Sequence, residues 1–352
     1  MQHRITEKKP LLDAKGRLTE PGYATSLVLD YNRNDIKANK LRIKEWDYYL
    51  ITNGKIGVAL TIADNSYMGL DSISFLDFES ETPWEQTTSP MRIMTMGKTG
   101  FPATSETGDV EIFGKDYFLQ FTNDGTKRVL SFKMDKFMKD TPIKGEIVLE
   151  NALKEDGTHT DTMVIATPFP KKDTAFYYNQ KINCMPASGF VELGEKRYEF
   201  DRADSFGILD WGRGVWTYEN TWYWGSASGT YEGQSFGFNI GYGFGDTSAA
   251  SENMLFYKGV AHKLSQVRFD IPTLQDGSDD FMSPWKFTSD DGRFEMDFEP
   301  VIDRASDTDF KILCSKQHQV FGKFTGKAVL DDGTEIQLKD FFGFAEKVYN
   351  KW

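Results

Sequence analysis

Apolar and polar residues alternate with a period of two along much of this chain. Phe294, Met296 and Phe298 alternate with Glu295, Asp297 and Glu299, so that every second side chain falls on one face of an extended backbone. Val329 to Leu338 reads as a hairpin about Asp332-Gly333, a favoured two-residue turn. Asn53-Gly54, Asn123-Asp124-Gly125, Asp156-Gly157 and Asp291-Gly292 punctuate the remainder. Turns at this spacing cut a chain into the short strands of sandwiches and barrels. The pattern predicts an all-β protein of two antiparallel barrel or sandwich halves, without long helices; Asp246–Met254 is the best short helical candidate. The polar stretch Ala152–Asp161, followed by Pro168 and Pro170, is the nearest thing to a linker. It suggests domains over 1–160 and 161–352, with the second carrying the unusual segment described next.

Between Gly207 and Gly245 lie ten glycines in 39 residues, about a quarter of positions against a background of roughly 7%. Trp211, Trp216, Trp222 and Trp224 fall in the same stretch. As a strand, Ser235–Gly245 puts Phe236, Phe238, Ile240, Tyr242 and Phe244 on one face, which is core. The other face is bare glycine except for Ser235 and Asn239, and it admits a close neighbour: a backbone, a ring or a ligand. Asn239 either binds that occupant or satisfies backbone groups. Extended throughout, Trp216–Trp224 aligns Trp216, Tyr218, Asn220, Trp222 and Trp224 as a stripe that serves equally as core or as a stacking platform.

Carboxylates sit in and beside this aromatic ground: Asp201, Asp204, Asp210, Asp246 and Glu252, with Arg213 and Asn253 nearby. An acid among tryptophans loses hydration, which raises its pKa and makes it a proton donor near neutrality; a neighbouring Arg has the opposite effect. Asp210 and Arg213 either form a local pair in a glycine-rich turn or belong to a site. Asp204 is also a turn cap, and Asp246 with Glu252 a helix start. In the N-terminal half, Leu41, Ile43, Tyr49 and Ile51 share a face with Glu45 and Asp47. Acids on such a stripe are costly unless paired or facing a cavity. The expectation is therefore an inter-domain pocket in which Asp210, Asp47 and Glu252 act on protons. Arg213, Trp216, Trp222, Trp224, Asn239, Asp204, Asp246 and Asn253 would contact the ligand.

Composition narrows the partners. The net charge of −12 lacks the basic footprint that nucleic acid requires. No apolar run approaches the length of a membrane helix, and Met1–Pro10 has no apolar signal region, so a cytoplasmic protein is expected. Cys184 and Cys314 read as free buried thiols. The four histidines are dispersed, so zinc is not expected; no cofactor is expected, and a carboxylate-bound metal is left open.

Three strings are distinctive: Lys44-Glu-Trp-Asp-Tyr-Tyr49, Ala203-Asp-Ser-Phe-Gly-Ile-Leu-Asp-Trp-Gly-Arg-Gly-Val-Trp216, and the run from Gly237 through Phe244 and Asp246 to Asn253. They resemble a bacterial family of unknown function, and the likeness runs from Leu11-Leu-Asp-Ala-Lys-Gly16 to Gly343-Phe-Ala-Glu346. More distantly, the duplicated β layout and the Gly-Phe-Ala-Glu ending resemble lipocalin-like proteins of the carotenoid hydratase type, a group that includes fungal cyclisation enzymes. That resemblance implies two lipocalin-like barrels with a ligand between or inside them. It also implies that an acid among Asp47, Asp210, Asp246 and Glu252 protonates an alkene or enol. Three functions follow: an acid–base enzyme for hydration, isomerisation or cyclisation of an apolar or isoprenoid-like small molecule; a carbohydrate-active enzyme with a Trp platform and paired carboxylates; or a non-catalytic carrier.

Overall fold

The computed structural model describes residues 2–309 and 314–351, which contain strands and two single 3-10 turns, Arg33–Asp35 and Lys40–Arg42, but no α-helix. Among these residues no helix is long and apolar enough to cross a membrane. The expected helix at Asp246–Met254 is a turn instead. The Asp246 carboxylate accepts the Ser248 backbone N–H, a local bond that competes with helix formation.

Two large antiparallel sheets make up the chain. The first has 14 strands, with Ile56–Asp64, Lys44–Thr52, Phe206–Val215 and Phe176–Leu193 side by side at its centre. It curls until distant strands touch: the Tyr49 and Phe121 rings lie 5.0 Å apart, and the Thr88 hydroxyl donates to the Phe137 carbonyl. A core that includes Ile51, Leu60, Phe75, Phe132 and Trp211 fills the curl. The second sheet has nine strands and runs through Gln234–Tyr242, Glu219–Tyr231, Glu335–Lys351, Cys314–Val329 and Phe294–Asp309. Phe236, Phe238 and Ile240, each 0% exposed, lie in its own core with Phe287, Phe294 and Phe324. Buried Phe294, Met296 and Phe298 alternate with exposed acids, and Leu330 to Thr334 makes the hairpin turn about Asp332-Gly333.

The chain passes from the first sheet to the second between Val215 and Glu219. Lys44–Thr52 is buried on nearly every side chain, so its backbone needs a hydrogen-bonded neighbour on both edges. Ile56–Asp64 supplies one and Phe206–Val215 the other. The segment that looked like a linker is an exposed hairpin loop closed by Leu153 and His159.

A bulge joins the two halves. Between Ile182 and Met185 the strand carries one extra residue relative to its partner, which turns Asn183 and Cys184 toward the second sheet. Asn183 Nδ2 donates to Ser226 Oγ at 2.7 Å and to the Phe238 carbonyl at 3.1 Å. Cys184 and Cys314 are both free and buried, and burial pushes the Cys184 thiol up to about 12.

Candidate functional site

Residues paired across neighbouring strands share a face of the sheet, so the register identifies two facing rows of side chains. In the first sheet Thr61, Tyr48, Asp210 and Lys181 lie opposite one another in turn. In the second, the row is Arg304, Gln319, Glu346, Trp224 and Gly241. The rows meet where the Tyr48 hydroxyl donates to Gln319 Oε1 at 3.3 Å and where Lys181 Nζ sits 3.7 Å above the Trp224 ring. Asp210 and Glu346 occupy the middle of their rows. Between them is a cavity of about 610 Å³, within the range of small-molecule sites.

Glycines shape the aromatic part of its wall. Gly212 lies directly under the Trp46 ring, where any Cβ would collide. Trp46 in turn stacks on Tyr177 at 6.0 Å and meets Trp216 edge-on at 5.4 Å. Gly243, with φ of 93°, takes the chain out of the Gln234–Tyr242 strand through a left-handed turn that glycine adopts without strain. Phe244 therefore leaves the face of Phe236, Phe238 and Ile240, on which the alternation placed it, and packs against Tyr177, Trp216 and Trp222. The expected Trp216–Trp224 stripe is also broken. Trp216 follows the first-sheet strand, Tyr218 is 44% exposed in the connection, and Trp222 and Trp224 belong to the second sheet.

The carboxylates in the cavity are held differently. Asp210 Oδ2 pairs with Lys181 Nζ at 2.7 Å, and its Oδ1 accepts from Asn179 Nδ2 at 2.6 Å. Glu346 accepts from Trp222 Nε1 at 3.0 Å and from Gln319 Nε2 at 3.2 Å. Burial pushes its carboxyl up to about 7; the Trp222 hydrogen bond and the Lys181 and Arg304 charges oppose the rise, while Asp210 adds to it. Burial likewise raises Glu252, against Lys181 and a hydrogen bond from Asn239. The Tyr177 hydroxyl is raised well above its ordinary value by burial and then by Asp210, so it stays protonated.

Of the residues singled out from the sequence, Asp210, Glu252, Trp216, Trp222 and Trp224 line this cavity. Asn239 stands behind it, accepting from Trp224 Nε1 at 2.7 Å and donating to the Glu252 carbonyl and carboxylate. Asn253 is a buried strut whose side-chain Oδ1 accepts the Gly241 N–H and whose Nδ2 donates to the Ser265 carbonyl. Asp204 and Asp246 are exposed turn residues away from the cavity. The pocket anticipated for Asp47, Arg213 and Asp210 together does not form. Asp210 and Arg213 are three apart on one strand, which puts them on opposite faces. Arg213, 0% exposed, turns into the first core and binds Asp47 at 3.0 Å, with its guanidinium over the Trp211 and Phe101 rings. Burial raises the Asp47 carboxyl against this pull.

Glu346, Lys181, Tyr177 and Arg304 were not anticipated. Glu346 was legible by the reasoning used for Asp47. It shares a face with Phe342, Phe344 and Val348 in the last strand. The bare glycine face also acquires an occupant. A Cβ at Gly241 would lie 2.6 Å from Glu252 Oε1 and 2.8 Å from the Tyr223 carbonyl oxygen. Gly241→Val is accordingly expected to displace the Glu252 carboxylate and to cost about 1–3 kcal/mol, the usual penalty of overpacking. Urea melts of this variant showing no loss would mean that the Glu252 side chain can swing clear.

Residues 2–352 match the sequence profile of the family described as Domain of unknown function (DUF2804). No curated protein matches the chain in sequence. Among solved structures, a protein assigned as AttH from Nitrosomonas europaea superposes with a TM-score of 0.54 at 11% identity, covering 91% of this chain and 96% of that one. Kievitone hydratase from Nectria haematococca superposes with a TM-score of 0.51 at 11% identity, covering 97% of this chain and 99% of that one. Similarity at this identity establishes a common lipocalin-like fold.

Proposed function

The chain belongs to the Domain of unknown function (DUF2804) family, and we propose that it binds a mostly apolar small molecule in the inter-sheet cavity and protonates it with Glu346. The observation that carries this reading is a buried carboxyl whose pKa lies near 7 in a cavity walled by Trp46, Tyr177, Trp222 and Phe244. A general acid works best when its pKa matches the working pH. Transfer of the Glu346 proton to an alkene or enol carbon leaves a cationic centre on the ligand. The aromatic faces and the Asp210 carboxylate opposite stabilise that charge. Addition of water to the cation and return of one water proton to Glu346 completes a hydration; loss of a different ligand proton to Glu346 completes an isomerisation. Asp210, paired with Lys181 at 2.7 Å, is the counter-charge, and Glu252, raised by burial, supplies a second acid. The fold shared with a protein named as a hydratase is an analogy that agrees with this chemistry.

The carbohydrate alternative has less support. A sugar platform needs a free ring face, whereas Trp224 carries Lys181 on one face and has Tyr48 and Phe344 packed edge-to-face around it. Its N–H is spent on Asn239 and that of Trp222 on Glu346. Native mass spectrometry of the purified protein followed by incubation of the released ligand class in D₂O tests the proposal. Mass gain by one water, or deuterium incorporation at carbon without mass gain by water, is the expected outcome. Unchanged ligand together with cleavage of glycosides would overturn it.

A further inference from the structure

The cavity is lined by two cations, and they are treated differently. Lys181 is committed to Asp210. Arg304, half-buried, has no ion pair with any carboxylate among the described residues; its one hydrogen bond is from Nη1 to Ser74 Oγ at 2.9 Å. Other acids of this region are engaged elsewhere, Glu346 with Trp222 and Gln319. Glu85 accepts from the Thr87 hydroxyl at 2.9 Å. Asp303, one residue before Arg304 and therefore on the opposite face of the strand, binds His318 at 2.7 Å. A guanidinium offers five donors in a planar fork that matches a carboxylate, and here most of them face no protein acceptor. Around Arg304 the lining turns polar, through Thr61, Ser72, Thr87, Ser306 and Gln317, while the aromatic wall lies toward Trp216 and Phe244.

We infer that the ligand is amphipathic, with an anionic oxygen group, a carboxylate above all, clasped by Arg304 and an apolar body extending past Glu346 toward the aromatic wall. This rests on the cavity reading proposed above. The register sets the spacing: Arg304, Gln319 and Glu346 are successive members of one row, so the anion and the protonated carbon lie two strand spacings apart, roughly 10 Å. The substrate is then an apolar acid whose reactive double bond is remote from its carboxylate. Arg304 acts as a specificity-determining residue that fixes the ligand's direction in the cavity, and it takes no part in moving the proton.

Binding of 1-pyrenebutyrate and of its methyl ester, followed by energy transfer from the cavity tryptophans, separates the two contributions because the ligands differ only in the charge. The acid is expected to bind about 10- to 100-fold more tightly than the ester, the weight of a charge-assisted hydrogen bond. Arg304→Gln should erase that preference and leave ester binding unchanged, Arg304→Lys should keep part of it, and added salt should narrow it. Equal affinity of the wild-type protein for acid and ester, or equal weakening of both by Arg304→Gln, would overturn the assignment to Arg304. Failure of the ester to bind at all would instead overturn the apolar-cavity reading, and this inference with it.

Discussion

Replacing Lys181 by Met is expected to cost about 3–5 kcal/mol of unfolding free energy, because it removes one partner of a buried ion pair and leaves the other without its counter-charge. The side chains of Lys181 and Asp210 are only 5% and 11% exposed. In the variant, Asp210 would keep the Asn179 amide and lose the cation that offsets its desolvation. The thioether is close in volume to the ammonium it replaces, so packing against Trp224 survives and the loss reports charge. Combining Lys181→Met with Asp210→Asn should recover most of the stability, since neither buried charge then remains; a double-mutant cycle in urea isolates the coupling. A loss below about 1 kcal/mol for Lys181→Met, of the size found for exposed pairs, would show that water entering through the cavity screens Asp210 and that the pair is not a buried one.

The second large effect is chemical. Glu346→Gln should lower turnover by about 10²- to 10⁴-fold, the range for a positioned general acid, and leave the fold intact. The amide keeps an acceptor for Trp222 Nε1 and the volume that Trp224 and Gln319 pack against. The acid form of Glu346 is the active one, so turnover by the wild-type protein should fall as pH rises through about 7. Stability has the same sign. The folded carboxyl holds its proton to about 7, against the usual 4.5, so the folded state binds the extra proton in that interval. The wild type should therefore lose stability relative to Glu346→Gln as pH climbs from about 4.5 to about 7. If Glu346→Gln retains full turnover, Glu252 becomes the acid of choice, and Glu252→Gln distinguishes the two.

How far such a site is visible in a sequence depends on whether a residue's signal is local. The strands around Phe294–Phe298 and the hairpin at Asp332-Gly333 were plain, because alternation and turn chemistry act between near neighbours. Trp216, Trp222, Trp224, Asp210 and Glu252 were found together because glycine and tryptophan crowd one stretch of chain, and that crowding does reflect an enclosed space. Face assignment is where local reading failed. Asp47 and Arg213 looked like members of the same pocket as Asp210, yet Asp47 pairs in register with Trp211 rather than Asp210. Register belongs to strand pairing across 160 residues and has no signature within either strand. The sheet changeover after Val215 was hidden for a similar reason. Phe206–Val215 joins the first sheet because Lys44–Thr52 has an edge to fill, a demand invisible from its own composition. Glu346 follows Phe341–Ala345 and Lys181 lies in a strand that is buried from Phe176 to Met185, and these two charges among buried neighbours were legible in part from the sequence. Only their meeting across the cavity needed coordinates.

A proton held by Glu346 at neutral pH is the centre of the proposed chemistry. Carbon-13 NMR of protein labelled at the glutamate side-chain carboxyl, with the Glu346 resonance assigned by its absence from Glu346→Gln, follows that proton directly. The carboxyl resonance of Glu346 is expected to titrate with a midpoint near 7 and to shift further upward on occupation of the cavity by an apolar ligand, which removes the remaining water. A midpoint in the ordinary glutamate range near 4.3, unmoved by ligand, would mean that Glu346 is ionised at neutrality and cannot be the acid.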